Sequence, residues 1–323
     1  MKFIDVNEQQ ELFINDINKP ELKSGQCLIK VKAIGINRAD LLQRAGKYPA
    51  PPGESEILGL EVCGELESII PDVTDWQVGD KVFGLVAGGG YAEYAAINQQ
   101  HLLKLPSNLN FTQGAAIAEV FLTAFQSLFT IGQMKATDHV LIHAGASGVG
   151  SAAIQLAKAI GCQVTTTVSS DKKAEACKAL GADNIIKYTE VDFVKWKKEH
   201  LKQGFDVILD VVGGDYLNRN IDVAGRDASI VMLAMLGGRF SEPVDVAKML
   251  FKRINIHAST LRNRSDEYKT SLVQQFSQKF LDKFESDELQ PVIEQVLSWS
   301  NTEQAHASMS ENKNIGKYIL TVD

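Results

Sequence analysis

The chain has 323 residues, of which 45% are hydrophobic, so it is long enough to form two domains with packed cores. Its 33 basic and 40 acidic residues give a formal net charge of -7, which argues against a broad basic surface for nucleic acid. Acidic residues close to the N-terminus and the lack of any run of eighteen apolar residues predict a cytoplasmic protein that needs no membrane. The four cysteines form no C-x-x-C pair, which excludes a zinc ribbon and predicts reduced, mostly buried thiols.

The first third of the chain is predicted to contain short strands joined by tight turns. Residues 27–33 alternate small apolar side chains with Lys30 and Lys32, which is the pattern of a strand with one solvated face. Turn-forming residues follow at 49–53, 78–80 and 88–90. We therefore expect a small β-barrel-like domain in this part of the chain.

Beyond residue 112 the pattern changes to a helix of strong helix formers and then to an alternation of strands and helices. Strands are predicted at residues 139–143, 163–168, 184–186, 205–210, 229–236 and 254–258. Helices are predicted at 149–160, 174–180 and 268–284. Apolar strands separated by helices favour a parallel sheet covered on both faces. A final strand at 318–322 is expected to return to the sheet of the first domain.

The sharpest motif lies between the strand at 139–143 and the helix at 149–160. Gly148, Gly150 and Ala153 satisfy the pattern G-x-G-x-x-A in this strand-to-helix context. Glycines permit the tight turn and let a pyrophosphate approach backbone N–H groups at the positive end of the helix. The motif therefore predicts a dinucleotide site, with a purely structural glycine turn as the alternative.

The strand that follows the motif ends at Ser169 and Ser170, without the carboxylate that NAD-binding folds offer to the ribose. Lys172 and Lys173 come next, and hydroxyl and ammonium groups suit a 2'-phosphate, so NADPH is favoured over NADH. Asp171 keeps NADH open, since a shift of one residue would bring its charge to the ribose. A helix N-cap followed by solvated lysines is a further alternative.

These features resemble, almost from end to end, the quinone oxidoreductase branch of the medium-chain dehydrogenase/reductase superfamily, the zeta-crystallin-like enzymes. The similarity is carried by residues 37–48 (NRADLLQRAGKY), 57–61 (ILGLE), 121–125 (FLTAF) and 314–317 (NIGK). The Ser-Gly-Val-Gly form of the turn at 147–150 resembles the stress-inducible NADPH:quinone oxidoreductase subgroup. The resemblance implies an α/β protein with a GroES-like β-barrel catalytic domain, residues 1–117 and 259–323. A doubly wound Rossmann domain with a parallel sheet, residues 118–258, would bind NADP.

The sequence departs from the zinc enzymes of that superfamily, which have a Cys where this chain has Asn37 and a His where it has Leu60. Neither residue can replace a thiolate or imidazole as a zinc ligand, so we expect no metal site. Without zinc to polarise a carbonyl, the acceptor must itself be electron-poor. The leading interpretation is hydride transfer from NADPH to a quinone or conjugated carbonyl compound. Alternatives are a 2-alkenal or enoyl reductase and a non-catalytic, crystallin-like protein that binds NADPH.

The resemblance also assigns the site residues. Asn37 and Tyr48 would line the substrate cleft, where Tyr48 orients or protonates the acceptor, or packs only as an aromatic lid. Asp40 is interpreted as a hydrogen-bonding turn residue rather than an acid. The implied cofactor contacts fall into phosphate, 2'-phosphate and nicotinamide groups. They are, in that order, Ser147, Gly148, Val149 and Gly150; Ser170, Lys173 and Tyr188; and Thr123, Leu236, Gly237, Gly238, Leu261, Arg262 and Asn314.

Two of these contacts have alternatives, and the family also implies an assembly. Tyr188 can be interpreted as a surface aromatic at a strand end, and Arg262 as the partner of a surface carboxylate.

The fold of the family implies a homodimer. In it, the segments at 229–236 and 254–259 would extend the Rossmann sheets across a two-fold axis.

Overall fold

A computed structural model describes residues 1–322 of the chain. Its strands are β1 (Lys2–Val6), β2 (Leu12–Asp16), β3 (Gln26–Gly35), β4 (Glu61–Ile69), β5 (Lys81–Leu85), β6 (Tyr94–Asn98), β7 (Leu102–Lys104), β8 (His139–Ile142), β9 (Gln163–Val168), β10 (Asn184–Lys187), β11 (Phe205–Asp210), β12 (Ala224–Met232), β13 (Asn255–Ala258), β14 (Ile293–Ser298) and β15 (Lys317–Thr321). Its α-helices are α1 (Arg38–Arg44), α2 (Phe111–Gly114), α3 (Ala118–Phe125), α4 (Gly148–Ala159), α5 (Asp171–Ala179), α6 (Phe193–His200), α7 (Tyr216–Val223), α8 (Val246–Lys252), α9 (Asp266–Phe276), α10 (Asp282–Glu285) and α11 (Thr302–Ser310). These elements form two compact units, one of Met1–Leu122 with Leu261–Asp323 and the other of Thr123–Thr260.

The first unit is built on a seven-stranded sheet in the order β14-β15-β3-β4-β5-β7, with β6 also paired to β3. β15 runs antiparallel to β3, with Ile319 opposite Gly35, which confirms the predicted return of the last strand to this sheet. Apolar side chains from both ends of the unit share one core, in which Ile29, Val62 and Leu320 are fully buried. The early and late parts of the chain therefore depend on each other for burial.

The second unit contains six parallel strands in the order β10-β9-β8-β11-β12-β13. Counted along the chain from β8, this order is 3-2-1-4-5-6, which confirms the doubly wound arrangement predicted from the strand and helix alternation. Leu141, Ile208 and Ile230 are buried in one apolar cluster with Phe193 and Phe205. The sequences of such strands are continuously apolar, because helices cover both faces of the sheet.

Two predicted elements differ most from the structure. The strand expected at 229–236 is β12, which ends at Met232 and lies between β11 and β13, so it is not an edge strand. The helix expected from residue 112 is interrupted between α2 and α3. A Cβ on Gly114, the last residue of α2, would lie 2.5 Å from Cys63 Sγ, so a tertiary contact fixes the backbone here.

Within the described residues, Phe111–Ile131 is the one helical stretch long and apolar enough to cross a membrane, with a mean hydropathy of 1.5. An apolar segment of eighteen residues within this stretch is 72% buried inside the protein. This burial is typical of a core helix, because a membrane-spanning helix presents its apolar surface to lipid.

Candidate functional site

The glycine motif forms a tight turn between β8 and α4. Ser147 caps α4 by accepting a hydrogen bond from the Gly150 N–H at 3.0 Å. A Cβ on Gly150 would lie 2.4 Å from the carbonyl oxygen of Ala144, so no side chain fits there. Ala144 itself has a left-handed backbone, with φ of 53°. The turn therefore needs glycine at 150 and leaves the positive end of a twelve-residue helix behind it.

A buried polar network supports the backbone around this turn. The His143 Nε2–H donates to Asn220 Oδ1 at 2.8 Å, and Asn220 Nδ2 donates to Asp210 Oδ2 at 2.9 Å. The other oxygen of Asp210 accepts the Gly213 N–H at 2.9 Å, and Gly213 forms a bridge with Gly238. Burial lowers the pKa of His143, so the ring is neutral. Its role is to hold Asn220 in place by a hydrogen bond.

The residues predicted near the nicotinamide in the second unit occupy two segments. Thr123 has a buried hydroxyl Oγ1 that finds no hydrogen-bond partner among residues 1–322. Leu236 is exposed, and the Gly237 N–H donates to the Val212 carbonyl oxygen at 2.7 Å. An unpartnered buried hydroxyl is costly unless a bound group uses it, so Thr123 suits a ligand contact.

The residues predicted at the 2'-phosphate lie at the ends of β9 and β10. Ser170 is the N-cap of α5 and accepts from the Lys173 N–H at 3.4 Å, which confirms the N-cap interpretation for Ser170. Asp171 pairs with Lys187 at 2.6 Å, so its negative charge is compensated within the protein. Tyr188 is exposed immediately after β10.

Asn37 belongs to a buried polar cluster in the first unit. Its Nδ2 donates to Glu61 Oε1 at 3.0 Å, and the Lys317 ammonium donates at 2.5 Å to both Asn37 Oδ1 and Glu61 Oε1. Asn314 donates to the Gly316 carbonyl oxygen at 2.7 Å and so shapes the turn before Lys317. The side-chain amide of Asn37 therefore fixes the positions of the Glu61 and Lys317 side chains.

This cluster does not suit zinc. An ammonium already neutralises Glu61, and the amide at Asn37 and the alkyl side chain at Leu60 supply no thiolate or imidazole. Within residues 1–322, no three His, Cys, Asp or Glu side chains are grouped so that they could hold a metal ion. The residues at the positions of the zinc ligands therefore do not form a zinc site.

Asp40 is a buried hydrogen-bonding residue, as predicted. Its Oδ2 accepts from the Asn37 N–H at 2.7 Å and from the Tyr91 hydroxyl at 3.1 Å. His306 Nε2 lies 2.9 Å from the same hydroxyl. Burial raises the pKa of Asp40 to about 6 and lowers the pKa of His306 to about 3. Neutral His306 therefore ties α11 to the cap of α1.

Arg262 and Tyr48 lie together in the first unit. The guanidinium carbon of Arg262 is 5.5 Å from the centroid of the Tyr48 ring, and Arg262 Nε donates to the Ala87 carbonyl oxygen at 2.6 Å. Arg262 is only 6% exposed and Leu261 is also buried. Pairing of Arg262 with a surface carboxylate is therefore wrong, because the side chain lies inside the protein. Tyr48 is half-buried, and burial raises the pKa of its phenol, which keeps it protonated.

Sequence reasoning assigned no role to three charged residues, the buried Glu61 and Lys317 and the half-buried Glu119. Glu61 and Lys317 lie in the segments that carry the family resemblance, whereas Glu119 is a single charge in the otherwise apolar helix α3. The Glu119 N–H donates to Glu61 Oε2 at 2.9 Å. Burial, reinforced by the Glu61 carboxylate, raises the pKa of Glu119 to about 8. A lone charge within an apolar helix was the signal that could have found it.

The chain is similar to known proteins over nearly its whole length. Residues 23–107 match the alcohol dehydrogenase GroES-like domain family, and residues 148–278 match the zinc-binding dehydrogenase family. The quinone oxidoreductase of Pongo abelii is 30% identical over 309 residues, which cover 95% of this chain and 92% of that protein. The synaptic vesicle membrane protein VAT-1 homolog of Danio rerio is 30% identical over 318 residues. The match covers 94% of this chain but 66% of that protein.

Similarity to solved structures covers the same extent. A mycobacterial protein complexed with NADPH has a TM-score of 0.87 and 27% sequence identity, with 99% of each chain covered. The two sheets, the glycine turn and the match to a quinone oxidoreductase at 30% identity point to one group of nicotinamide-dependent oxidoreductases. The chain belongs to the quinone oxidoreductase branch of the medium-chain dehydrogenase/reductase superfamily.

Proposed function

We propose that the protein is an NADPH-dependent quinone reductase that works without zinc. The observation that carries this proposal is the turn before α4, where the position of Gly150 leaves no space for a side chain. This is the geometry that dinucleotide phosphates require at a helix N-terminus. Ser147, Gly148 and Val149 complete the segment that would hold the phosphates.

The choice of NADPH is supported by the charges beside β9. Ser170 and Lys173 begin α5, and Asp171 is paired with Lys187, so its carboxylate is not left to repel a 2'-phosphate. Tyr188 is exposed at the same edge of the sheet and would pack against the adenosine.

The nicotinamide contacts that we propose are those the family resemblance implies, namely Thr123, Leu236, Gly237, Gly238, Leu261, Arg262 and Asn314. The bound cofactor supplies the hydride. The protein's own part is to orient the acceptor through Tyr48 and to exclude water with buried side chains such as Leu261. Asn37 holds Lys317 and Glu61 in place through hydrogen bonds. The lack of zinc ligands would restrict the acceptor to electron-poor compounds.

The decisive experiment is a steady-state acceptor panel with NADPH and NADH compared side by side. We expect ortho- and para-quinones to be reduced faster than short 2-alkenals, and kcat/KM to be higher with NADPH than with NADH. Faster turnover of the alkenal would favour the enoyl reductase alternative. A lack of NADPH oxidation with every acceptor would favour a crystallin-like binding role.

We further propose that the protein is a cytoplasmic homodimer joined through β13. In the second unit β13 pairs only with β12, so its other edge can accept a strand from a second copy. Next to it along the chain, α8 has no buried residue, and Leu250 and Phe251 are 74% and 72% exposed. Two adjacent exposed apolar side chains beside an open strand edge are typical of an interface.

We therefore expect sedimentation of the wild type at micromolar concentration to give a dimer. Leu250→Glu should shift the protein toward the monomer, because the interface would then bury an unpaired carboxylate. Phe13→Glu, at an exposed apolar residue of β2, is the matched control and should leave the dimer intact. A monomeric wild type would refute the dimer.

A further inference from the structure

A pocket of about 60 Å³ lies within the unit formed by Met1–Leu122 and Leu261–Asp323. Part of its wall is apolar and includes Leu60, Leu85 and Leu261. Two charged side chains, Glu119 and Arg262, also line it. The remaining ionisable residues of the wall are Glu54, His101, Asp266 and Lys269. A small pocket with an apolar wall and a few polar groups has the composition of a small-molecule site.

Arg262, which lines this pocket, has an unused hydrogen-bond donor. Its Nε donates to the Ala87 carbonyl oxygen at 2.6 Å, and its Nη1 lies 3.5 Å from the Tyr48 carbonyl oxygen. Its Nη2 is buried and has no partner among residues 1–322. The residue is 6% exposed, so water does not readily satisfy that nitrogen. A fixed donor with no acceptor indicates that a ligand oxygen belongs beside it.

Glu119 lines the same pocket, and its carboxyl group makes no hydrogen bond in the described part of the chain. Its backbone is fixed, because its N–H donates to Glu61 Oε2. No ion pair within 4 Å joins Glu119 to Arg262, although both line the pocket. The charged groups that act on Glu119 are Glu61, Lys317, Asp40 and Arg262. Burial and Glu61 outweigh the two cations and raise the pKa of Glu119 to about 8, so the carboxyl is mostly protonated at neutral pH.

We propose that Glu119 is the proton donor of the reaction and that Arg262 Nη2 holds the oxygen which receives the proton. The role rests on the proposed quinone reduction. Hydride from the reduced nicotinamide carries two electrons to the quinone, which becomes a hydroquinone anion while the nicotinamide is oxidised. The O–H bond of Glu119 then breaks, and its proton passes to the anionic oxygen to give the hydroquinone. Water returns a proton to the Glu119 carboxylate before the next turnover.

The assignment separates the roles of Glu119 and Tyr48. Tyr48 packs with Arg262 and orients the acceptor, whereas Glu119 supplies the proton. A carboxyl with a pKa near 8 loses its proton as the pH rises through 8, whereas the phenol of Tyr48 titrates above its usual value of about 10. The pH dependence of turnover therefore distinguishes the two donors.

The test is the pH profile of kcat/KM for para-benzoquinone with NADPH in the wild type, Glu119→Gln and Tyr48→Phe. In the wild type we expect kcat/KM to fall by about tenfold per pH unit above pH 8. Glu119→Gln should lower kcat/KM at pH 7 by about 10²-fold and abolish that fall, because the amide cannot release a proton. Tyr48→Phe should retain the fall near pH 8.

Controls separate a chemical role from a folding defect and from failure of the proposed function. NADPH affinity, from fluorescence titration, and the melting temperature should be unchanged in Glu119→Gln, and the exposed Glu8→Gln should match the wild type throughout. A Glu119→Gln enzyme with the rate and pH profile of the wild type would overturn the assignment of Glu119 alone. A wild type that reduces no quinone would overturn the proposed function together with it.

Discussion

Gly150→Ala is expected to weaken NADPH binding by roughly 10- to 100-fold and to destabilise the protein by about 1–3 kcal/mol. Alanine would normally favour a helix over glycine by about 1 kcal/mol, so propensity alone predicts the opposite sign for stability. The clash decides the outcome, because the new Cβ would lie 2.4 Å from the Ala144 carbonyl oxygen, and a backbone atom cannot rotate away. Moving α4 to relieve the clash would also move the amides that would hold the phosphates.

The measurement is fluorescence titration of NADPH together with urea unfolding. Gly79→Ala is the control, because Gly79 has φ of 91° and open space around its Cβ position. It should lose about 1–2 kcal/mol from backbone strain and bind NADPH as the wild type does. Wild-type NADPH affinity in Gly150→Ala would contradict the assigned phosphate site.

Lys317→Met is expected to lower the free energy of unfolding by about 3–5 kcal/mol. The side chains of Lys317 and Glu61 are 3% and 0% exposed, so the variant leaves a buried carboxylate without its cation. It also removes the hydrogen bonds from Lys317 to the Ile36 carbonyl oxygen and to Asn37 Oδ1. The loss of stability comes mainly from the unpaired, buried carboxylate of Glu61. Lys317→Met combined with Glu61→Gln should therefore recover part of the stability.

Lys283→Met tests whether any ion pair would give the same result. Lys283 pairs with Glu288 at 2.6 Å, but their side chains are 30% and 47% exposed. Its removal should cost less than about 1 kcal/mol in the same urea titration, because water solvates the remaining carboxylate. Equal losses for Lys317→Met and Lys283→Met would contradict a burial-dependent role for Lys317.

The sequence predicted the second sheet better than the first. The strands β9 and β11 were predicted at their observed limits, since apolar runs between helices are characteristic of buried parallel strands. The start of β12 was predicted five residues too late, because Arg226 and Asp227 interrupt the apolar pattern near its beginning. Asp227 also has a left-handed backbone, with φ of 60°. The strands of the first sheet other than β3 and β15 were not predicted individually. β4, for example, begins with four consecutive buried residues, 61–64, and so lacks the period-two alternation that marks a strand with one solvated face.

The sequence predicted the candidate site only where a short local motif defines its residues. The turn at Gly148 and Gly150 follows from local spacing, and the structure has it between β8 and α4. The significance of Glu119 and Lys317 depends on burial and on charges from distant segments, which spacing cannot show. The interruption of the helix after Gly114 was also not predictable, because the contact between Gly114 and Cys63 joins residues that are distant in the sequence.

The pairing of β15 with β3 has a consequence for the order in which the chain matures on the ribosome. The parallel sheet is complete once Ala258 has emerged, so that unit can fold while synthesis continues. By contrast, the N-terminal strands must wait for Lys317–Thr321 before β3 gains its last partner. During this interval residues 33–35 of β3 lack the strand that pairs with them, and an unpaired strand edge is prone to aggregation.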